Sequence, residues 1–516
     1  MTRPAQPRVG ITDPCVLVGD WLHQRALPAR YQNEIAGQGH DDCRVRAALV
    51  DRMGQARGMD VDALFARAAE VAAGYRQRVG DLPVRAAATA DELRAAFSLP
   101  LPDAALPADQ VLDELVAAAE PGLVHTAGGR FFGFVIGGSY ELAVAADMVT
   151  AGWDQCAYNG VLTPSGAMAE EVAGDWLKDL LGLPATASVG FVTGGQEANT
   201  VGLAAGRHHV LAEAGWDVEA DGLAGAPRVR IIAGAERHAT IDRALRLLGF
   251  GTNALEPVDV DANGAIRPDA LAATLAEQPP GPTIVCLQAG NVNTGACDPL
   301  RDAITIAHDH GAWVHVDGAF GLWAAANSST RHLVDGIELA DSWGCDGHKW
   351  LNLTYDSGFA ICSRPEVHAT AVRYSAAYLT GSGGADLGMS DFTMESSRRA
   401  KGFATWALLR HLGRDGVAHV VDHLCAMARR FAEGLAAGGA RIANDVVLNM
   451  VLADFGGDDT NRAIAAAVQA EGTCWLATTD WQGRTLLRMS LSSRATTEAD
   501  IDASVASVLR HAGGRR

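Results

Sequence analysis

Residues 312–319 read AWVHVDGA, an apolar run through Trp313, Val314 and Val316 that stops at Asp-Gly-Ala. A short β-branched run ending in glycine is a strand buried on both faces, as in a parallel sheet. The same pattern stands at 188–195 (SVGFVTGG), 228–235 (RVRIIAGA) and 283–290 (TIVCLQAG). Helical patterns lie between these runs, at 196–215 (QEANTVGLAAGRHHVLAEAG) and 298–311 (DPLRDAITIAHDHG). Strands alternating with helices imply an α/β fold with a mostly parallel central sheet flanked by helices. Ligands of such sheets gather at the strand C-terminal ends, which is where the glycine-rich turns fall.

The flanks read differently. Residues 1–58 carry Pro, Gly and mixed charges without periodicity. Val61, Leu64, Ala68 and Val71 recur at helical spacing, so a helix is expected from Asp60 to about Gly80, and a second over 108–119. The Pro-rich link between them, ending SLPLPDAALP, reads as a strap. Beyond Lys401 come a long helical stretch, VVLNMVLADF, another helix, RTLLRMSLSS and ATTEADIDASVASVLRHA, an α+β unit with a helix start near Thr497 and Glu498. The expected organisation is an N-terminal helical segment over 1–120, a large domain over 121–400 and a small α+β domain over 401–516.

At 516 residues the chain exceeds one simple core. Its formal net charge of −19 disfavours nucleic acid and anionic membrane as partners. It does not exclude a local anion site built from backbone N–H groups. The nine cysteines include no CxxC pair, so no zinc or redox motif is expected and no metal is assigned. The start, MTRPAQPRVGITDP, lacks an apolar signal core, and no apolar run approaches the length of a membrane span. A cytoplasmic enzyme with reduced thiols is the expectation.

Four stretches carry chemistry. In DSWGCDGHKW (341–350), Lys349 is flanked by Trp343, Gly344, Trp350 and Leu351, a poor setting for a solvated surface charge. Apolar surroundings disfavour an ammonium ion, and a neutral amine attacks an aldehyde to form a Schiff base. In HVDGAF (315–320), Asp317 ends its strand. Such an Asp either caps the following turn or faces a pyridine nitrogen, keeping that ring protonated as an electron sink. In FVTGGQEANT (191–200), Gly194 and Gly195 lead into a helix, which serves either a tight turn or the approach of an anion to free N–H groups. In AERHAT (235–240), His238 ends a strand, as a structural histidine or as a ring stacked on a flat ligand.

The order TGGQEAN, ERHAT, HVDGAFG, DGHKW resembles the fold-type I pyridoxal-phosphate enzymes, specifically the group II amino-acid decarboxylases acting on aromatic amino acids, histidine, tyrosine or glutamate. The resemblance spans about residues 60–510 and includes RFFGFV near 130, EEVAGDWLKDLLGLP at 170–184, SSRRAKGFATWALLR at 396–410 and LLRMSLSS near the C-terminus. It implies that Lys349 holds pyridoxal 5′-phosphate as a Schiff base, with His348 beside it. It implies further that Asp317 pairs with the pyridine nitrogen, Ala319 packs under the ring and His238 stacks over its other face. Gly195 and Gln196 are expected at the phosphate, helped by Asn291 and Asp346. Here the chain departs from the family, whose members often carry a small hydroxyl residue at 196 and Asn at 346.

The stretch 378–399 (YLTGSGGADLGMSDFTMESSRR) resembles the family's catalytic loop, with Tyr378 at the position of the tyrosine that protonates the carbanionic intermediate; relatives with Phe there tend to make aldehydes oxidatively. The resemblance implies decarboxylation of an L-amino acid to its amine and CO₂ by a homodimer. Phe132, Phe134, Ile136, Tyr140, Trp153 and Tyr158, in segments that the family uses for its substrate pockets, favour an aromatic or apolar substrate side chain, a core role for most of them being equally natural. Rival chemistries on the same fold are oxidative deamination to an aldehyde, transamination and carbon–carbon lysis.

Overall fold

The computed structural model describes residues 60–374 and 388–513. Four of its eleven strands are the runs picked out above: β1 (Ser188–Val192), β2 (Arg230–Gly234), β4 (Thr283–Gln288) and β5 (Trp313–Asp317). With β3 (Leu255–Val258), β6 (Ser342–Asp346) and β7 (Gly358–Cys362) they form a seven-stranded sheet in the order β1-β7-β6-β5-β4-β2-β3. All neighbours are parallel except β7, which runs antiparallel to both β1 and β6. Strands β4 to β7 are buried at every position, as continuous apolar runs require. Side chains such as Ile231 and Ile284, with no exposed surface, contribute roughly 1.5–3 kcal/mol each.

The α-helices of eight or more residues are α1 (Val61–Arg78), α2 (Ala90–Phe97), α3 (Ala108–Ala119), α4 (Glu141–Trp153), α5 (Pro164–Leu181), α6 (Gly195–Glu213), α7 (Ala239–Leu247), α8 (Pro268–Ala276), α9 (Leu300–Asp309), α10 (Pro365–Val372), α11 (Gly402–Ala437), α12 (Asp458–Glu471) and α13 (Glu498–Gly513). Helix α2 lies inside the Pro-rich link that composition reads as a strap. It starts at a full capping box, with Thr89 accepting from the Glu92 N–H while the Glu92 carboxylate takes the Thr89 N–H. Helix α11 is broken at Gly413, whose φ of 59° only glycine adopts readily.

The described residues form two compact units, one of residues 60–72 together with Pro100–Val116, the other of Ala73–Leu99 and the described residues from Ala117 onward. In the first, Arg67 pairs with both Glu70 and Asp113. In the second, strands β8 (Arg441–Ile442), β9 (Met450–Asp454), β10 (Ala477–Trp481) and β11 (Arg484–Ser490) make a four-stranded antiparallel sheet in the order β10-β11-β9-β8. Phe132 and Phe431 meet edge to face beside that sheet, centroids 5.2 Å apart.

Candidate active site

Strand register decides what meets at the mouth of the larger sheet. Gly358 on β7 lies opposite both Val192 of β1 and Asp346 of β6, so the turn after β1 comes down onto the end of β6. A Cβ on Gly358 would stand 2.5 Å from the Gly194 Cα, so only glycine allows that approach. One strand further, Asp317 of β5 stands beside Gly344 of β6. Thr193, Gly194, Gly195, Gln196, His238, Asp317, Ala319, Asp346, His348 and Lys349 thereby share the wall of one cavity of about 310 Å³.

Within it the Asp346 carboxylate is the hub. One oxygen accepts the Gly195 N–H at 2.6 Å, and the other lies 2.9 Å from Lys349 Nζ. His348 Nε2 is 3.4 Å from the first oxygen. The first turn of α6 therefore already faces an anion, as its free N–H groups favour. Trp343, Trp350 and Leu351 are buried, as the apolar flanks of Lys349 suggest, but its amine faces a carboxylate.

Asp317, in the cavity wall, makes the turn-capping bond. Its Oδ1 accepts from the Ala319 N–H at 3.2 Å, while Oδ2 lies 3.4 Å from Thr240 Oγ1. His238 is the N-cap of α7, its Nδ1 accepting from the Thr240 N–H. Burial lowers the His238 imidazole below its usual range, against the pull of Asp317. Burial likewise lowers His348, whose Nδ1 accepts from the Ser357 N–H and whose ring lies 4.4 Å from that of Tyr355.

Asn291 stands apart from the cavity wall. Its Nδ2 donates to the Glu236 carbonyl and its Oδ1 accepts from the Asn293 and Thr294 N–H groups, so the side chain ties its own loop to the turn after β2. Tyr378 lies outside the described residues. Of the aromatic candidates, Phe132 is core, whereas Phe134 is 64% exposed and stacks on Trp475. The Phe134 carbonyl accepts from Arg488, which also donates to the carbonyl of Val292 in the cavity wall. Burial pulls the Arg488 guanidinium down to about 10. Sequence reading passed over Arg488, and it passed over Glu197, which accepts from the Thr193 N–H and hydroxyl at the turn. The neighbouring Glu395 carboxyl is pushed up to about 7, by burial first and then by Glu197.

The donor set fits pyridoxal phosphate: an amine, a strand-end carboxylate, an imidazole, and a glycine turn opening onto helix N–H groups. A Cβ at Gly194 would lie 2.8 Å from the His348 ring, and one at Gly195 2.8 Å from Asp346, so both glycines keep that end of the cavity open.

Comparison with known proteins agrees. The pyridoxal-dependent decarboxylase conserved domain matches residues 91–452. Tryptophan decarboxylase 1 of Oryza sativa subsp. japonica is 28% identical over 474 residues, covering 84% of this chain and 90% of that protein. The aromatic-L-amino-acid decarboxylase of Bacillus atrophaeus is 25% identical, covering 73% and 80%. A phenylacetaldehyde synthase of Arabidopsis thaliana is 24% identical, covering 83% and 91%. The crystal structure of Oryza sativa TDC with PLP and tryptamine shares the fold, with a TM-score of 0.82 at 23% identity over 89% of this chain and 98% of that one. With cavity and comparisons in agreement, the chain belongs to the pyridoxal-dependent decarboxylase family, a PLP-dependent carboxy-lyase.

Proposed function

We propose that the chain decarboxylates an L-amino acid with an aromatic or apolar side chain, releasing CO₂ and the amine. The observation that carries this reading is the convergence of Lys349, Asp317, His238 and the start of α6 on one cavity. Bound pyridoxal phosphate supplies the electron sink that makes loss of CO₂ possible. Lys349 Nζ is the amine that would hold the cofactor by its aldehyde. Asp317 would keep the ring nitrogen protonated, Ala319 and His238 would flank the ring, and Gly195, Gln196, His348 and Asp346 would line the phosphate end. The exposed Phe134, stacked on Trp475 and tethered through Arg488 to the cavity wall, supports an aromatic or apolar substrate.

The aldehyde-forming alternative has relatives named phenylacetaldehyde synthase behind it. Tyr378 favours the amine, because the resemblance places a phenol at the position that protonates the carbanion. Incubation with each of the twenty amino acids, scoring CO₂, amine, aldehyde and keto acid separately, tests the reading. Amine and CO₂ in equal amounts from an aromatic substrate support it; aldehyde as the main product overturns it.

The working form in this reading is a homodimer. Trp153, Met168 and Trp406 on α4, α5 and α11 are each two-fifths or more exposed, and a groove of about 530 Å³ runs between α5 and α11. An apolar face of that kind marks a protein interface. All seven described cysteines are unpaired, which fits the cytoplasm. No helix among the described residues is long and apolar enough to cross a membrane.

A further inference from the structure

His315 is fully buried between β5 and α6, and no step above uses it. Burial takes its imidazole down to about 4, so it is neutral at any working pH. Its Nδ1 lies 2.9 Å from Ser342 Oγ and its Nε2 lies 3.0 Å from Asn199 Oδ1. Ser342 Oγ accepts from Trp313 Nε1 at 3.1 Å, and Asn199 Nδ2 donates to Thr240 Oγ1 at 3.1 Å. Thr240 Oγ1 lies 2.8 Å from His238 Nδ1. Six side chains thus form one hydrogen-bonded row from the buried sheet to the cavity.

The direction of that row is fixed at both ends. At the cavity end the Thr240 backbone N–H points at His238 Nδ1, 3.3 Å away, and an amide can only donate, so Nδ1 is an acceptor. At the buried end the Trp313 indole also only donates. If His315 donated to Ser342 as well, the Ser342 hydroxyl hydrogen would have no acceptor among the described residues. The consistent assignment runs Trp313 to Ser342, Ser342 to His315 Nδ1, His315 Nε2–H to Asn199, Asn199 to Thr240, and Thr240 to His238 Nδ1. The Thr240 hydroxyl chooses His238 at 2.8 Å over Asp317 at 3.4 Å, which is long for such a bond. Space for the row is cleared by glycine: a Cβ on Gly202 would stand 2.5 Å from the His315 ring, and one on Gly344 2.5 Å from Asn199 Oδ1.

We infer that His315 is a positioning residue: through Asn199 and Thr240 it aims a second donor, the Thr240 hydroxyl, at His238 Nδ1 and so holds His238 as a neutral Nε2–H donor in the cofactor cavity. Two donors aimed at Nδ1 favour the uncharged ring. Asp317 and Asp346 pull the other way, while Lys349 and Arg488 reinforce the neutral form. The value of this to turnover rests on the decarboxylase reading; the tautomer itself does not.

The test uses holoenzyme labelled with ¹⁵N-histidine, the His238 resonances being identified by their loss in His238→Asn. The expected wild-type signature is an unprotonated Nδ1 and a protonated Nε2. In His315→Leu the Thr240 hydroxyl is free to turn towards Asp317, leaving the backbone N–H as the remaining donor to Nδ1, and the His238 titration midpoint rises by roughly half to one pH unit, the worth of one oriented neutral hydrogen bond. Thr240→Val gives the same rise from the other end, and carries the test if His315→Leu does not fold. His315→Gln, which keeps an acceptor and a donor, stays close to wild type. A protonated Nδ1 in the wild type, or an unmoved midpoint in the broken-row variants, overturns the inference. These readouts stand even if no amino acid is decarboxylated, a result that would instead sink the proposed function.

Discussion

The mouth of the seven-stranded sheet and the outer face of α4, α5 and α11 solve opposite problems. At the mouth, charged groups are drawn out of water and paired within the chain: Lys349 with Asp346, Asp346 with Gly195 N–H, and Glu170 with Arg398 just behind. On the helical face, Trp153 and Met168 are 56% and 55% exposed. Polar groups that satisfy one another mark chemistry the chain performs itself. Apolar groups left in water mark a surface completed by something else. The four-motif reading speaks only to the first kind.

The largest expected effect lies between the two regions. Glu170 on α5 and Arg398 form a doubly hydrogen-bonded pair with both contacts at 2.6 Å and almost no exposure. Glu170→Ala leaves a buried guanidinium uncompensated and should cost about 3–5 kcal/mol in denaturant unfolding. A loss under ~1 kcal/mol would mean that the pair is not sealed. Next is Asp317→Asn, which should lower turnover by about 10²–10³-fold while the cofactor stays bound, because a neutral amide cannot hold the ring nitrogen protonated. Turnover near normal, with full cofactor absorbance, would break the pairing.

On the helical face, Met168→Glu should weaken the dimer at least ~10-fold by light scattering, about 1.4 kcal/mol, without moving the cofactor spectrum. An unchanged dimer would place the interface elsewhere. Smallest in energy is Tyr378→Phe, where slower protonation should divert product from amine towards aldehyde. Amine at the normal rate with no by-product would leave Tyr378 without a catalytic role.

What sequence made legible follows from the range of the interactions involved. Strands β1, β2, β4 and β5 announce themselves because burial on both faces is a local pattern. Asp317 stands out because it ends such a strand, and His238 and Lys349 because they lie within four residues of one, in the turns after β2 and β6. Strand β7 does not, since its place between β1 and β6 depends on pairings up to 174 residues apart along the chain. The contact of Asp346 with Gly195, 151 residues away, was equally out of reach, and it gives the acid at 346 its partners. Asn291 was expected at the phosphate; its side chain bonds the Glu236 carbonyl and the Asn293 and Thr294 N–H groups, contacts set by folding that the motif does not display. Helix α2 was legible in principle: the Thr89–Glu92 capping box is local, and the proline content around it drew attention away.

The central claim is that Lys349 is the residue that holds pyridoxal phosphate. Borohydride reduction of the holoenzyme followed by peptide mapping tests it most directly. The account predicts one reduced cofactor adduct, on the peptide carrying Lys349, and loss of that adduct in Lys349→Ala. An adduct on Lys178, Lys401 or any other amine, with Lys349 unmodified, would contradict it.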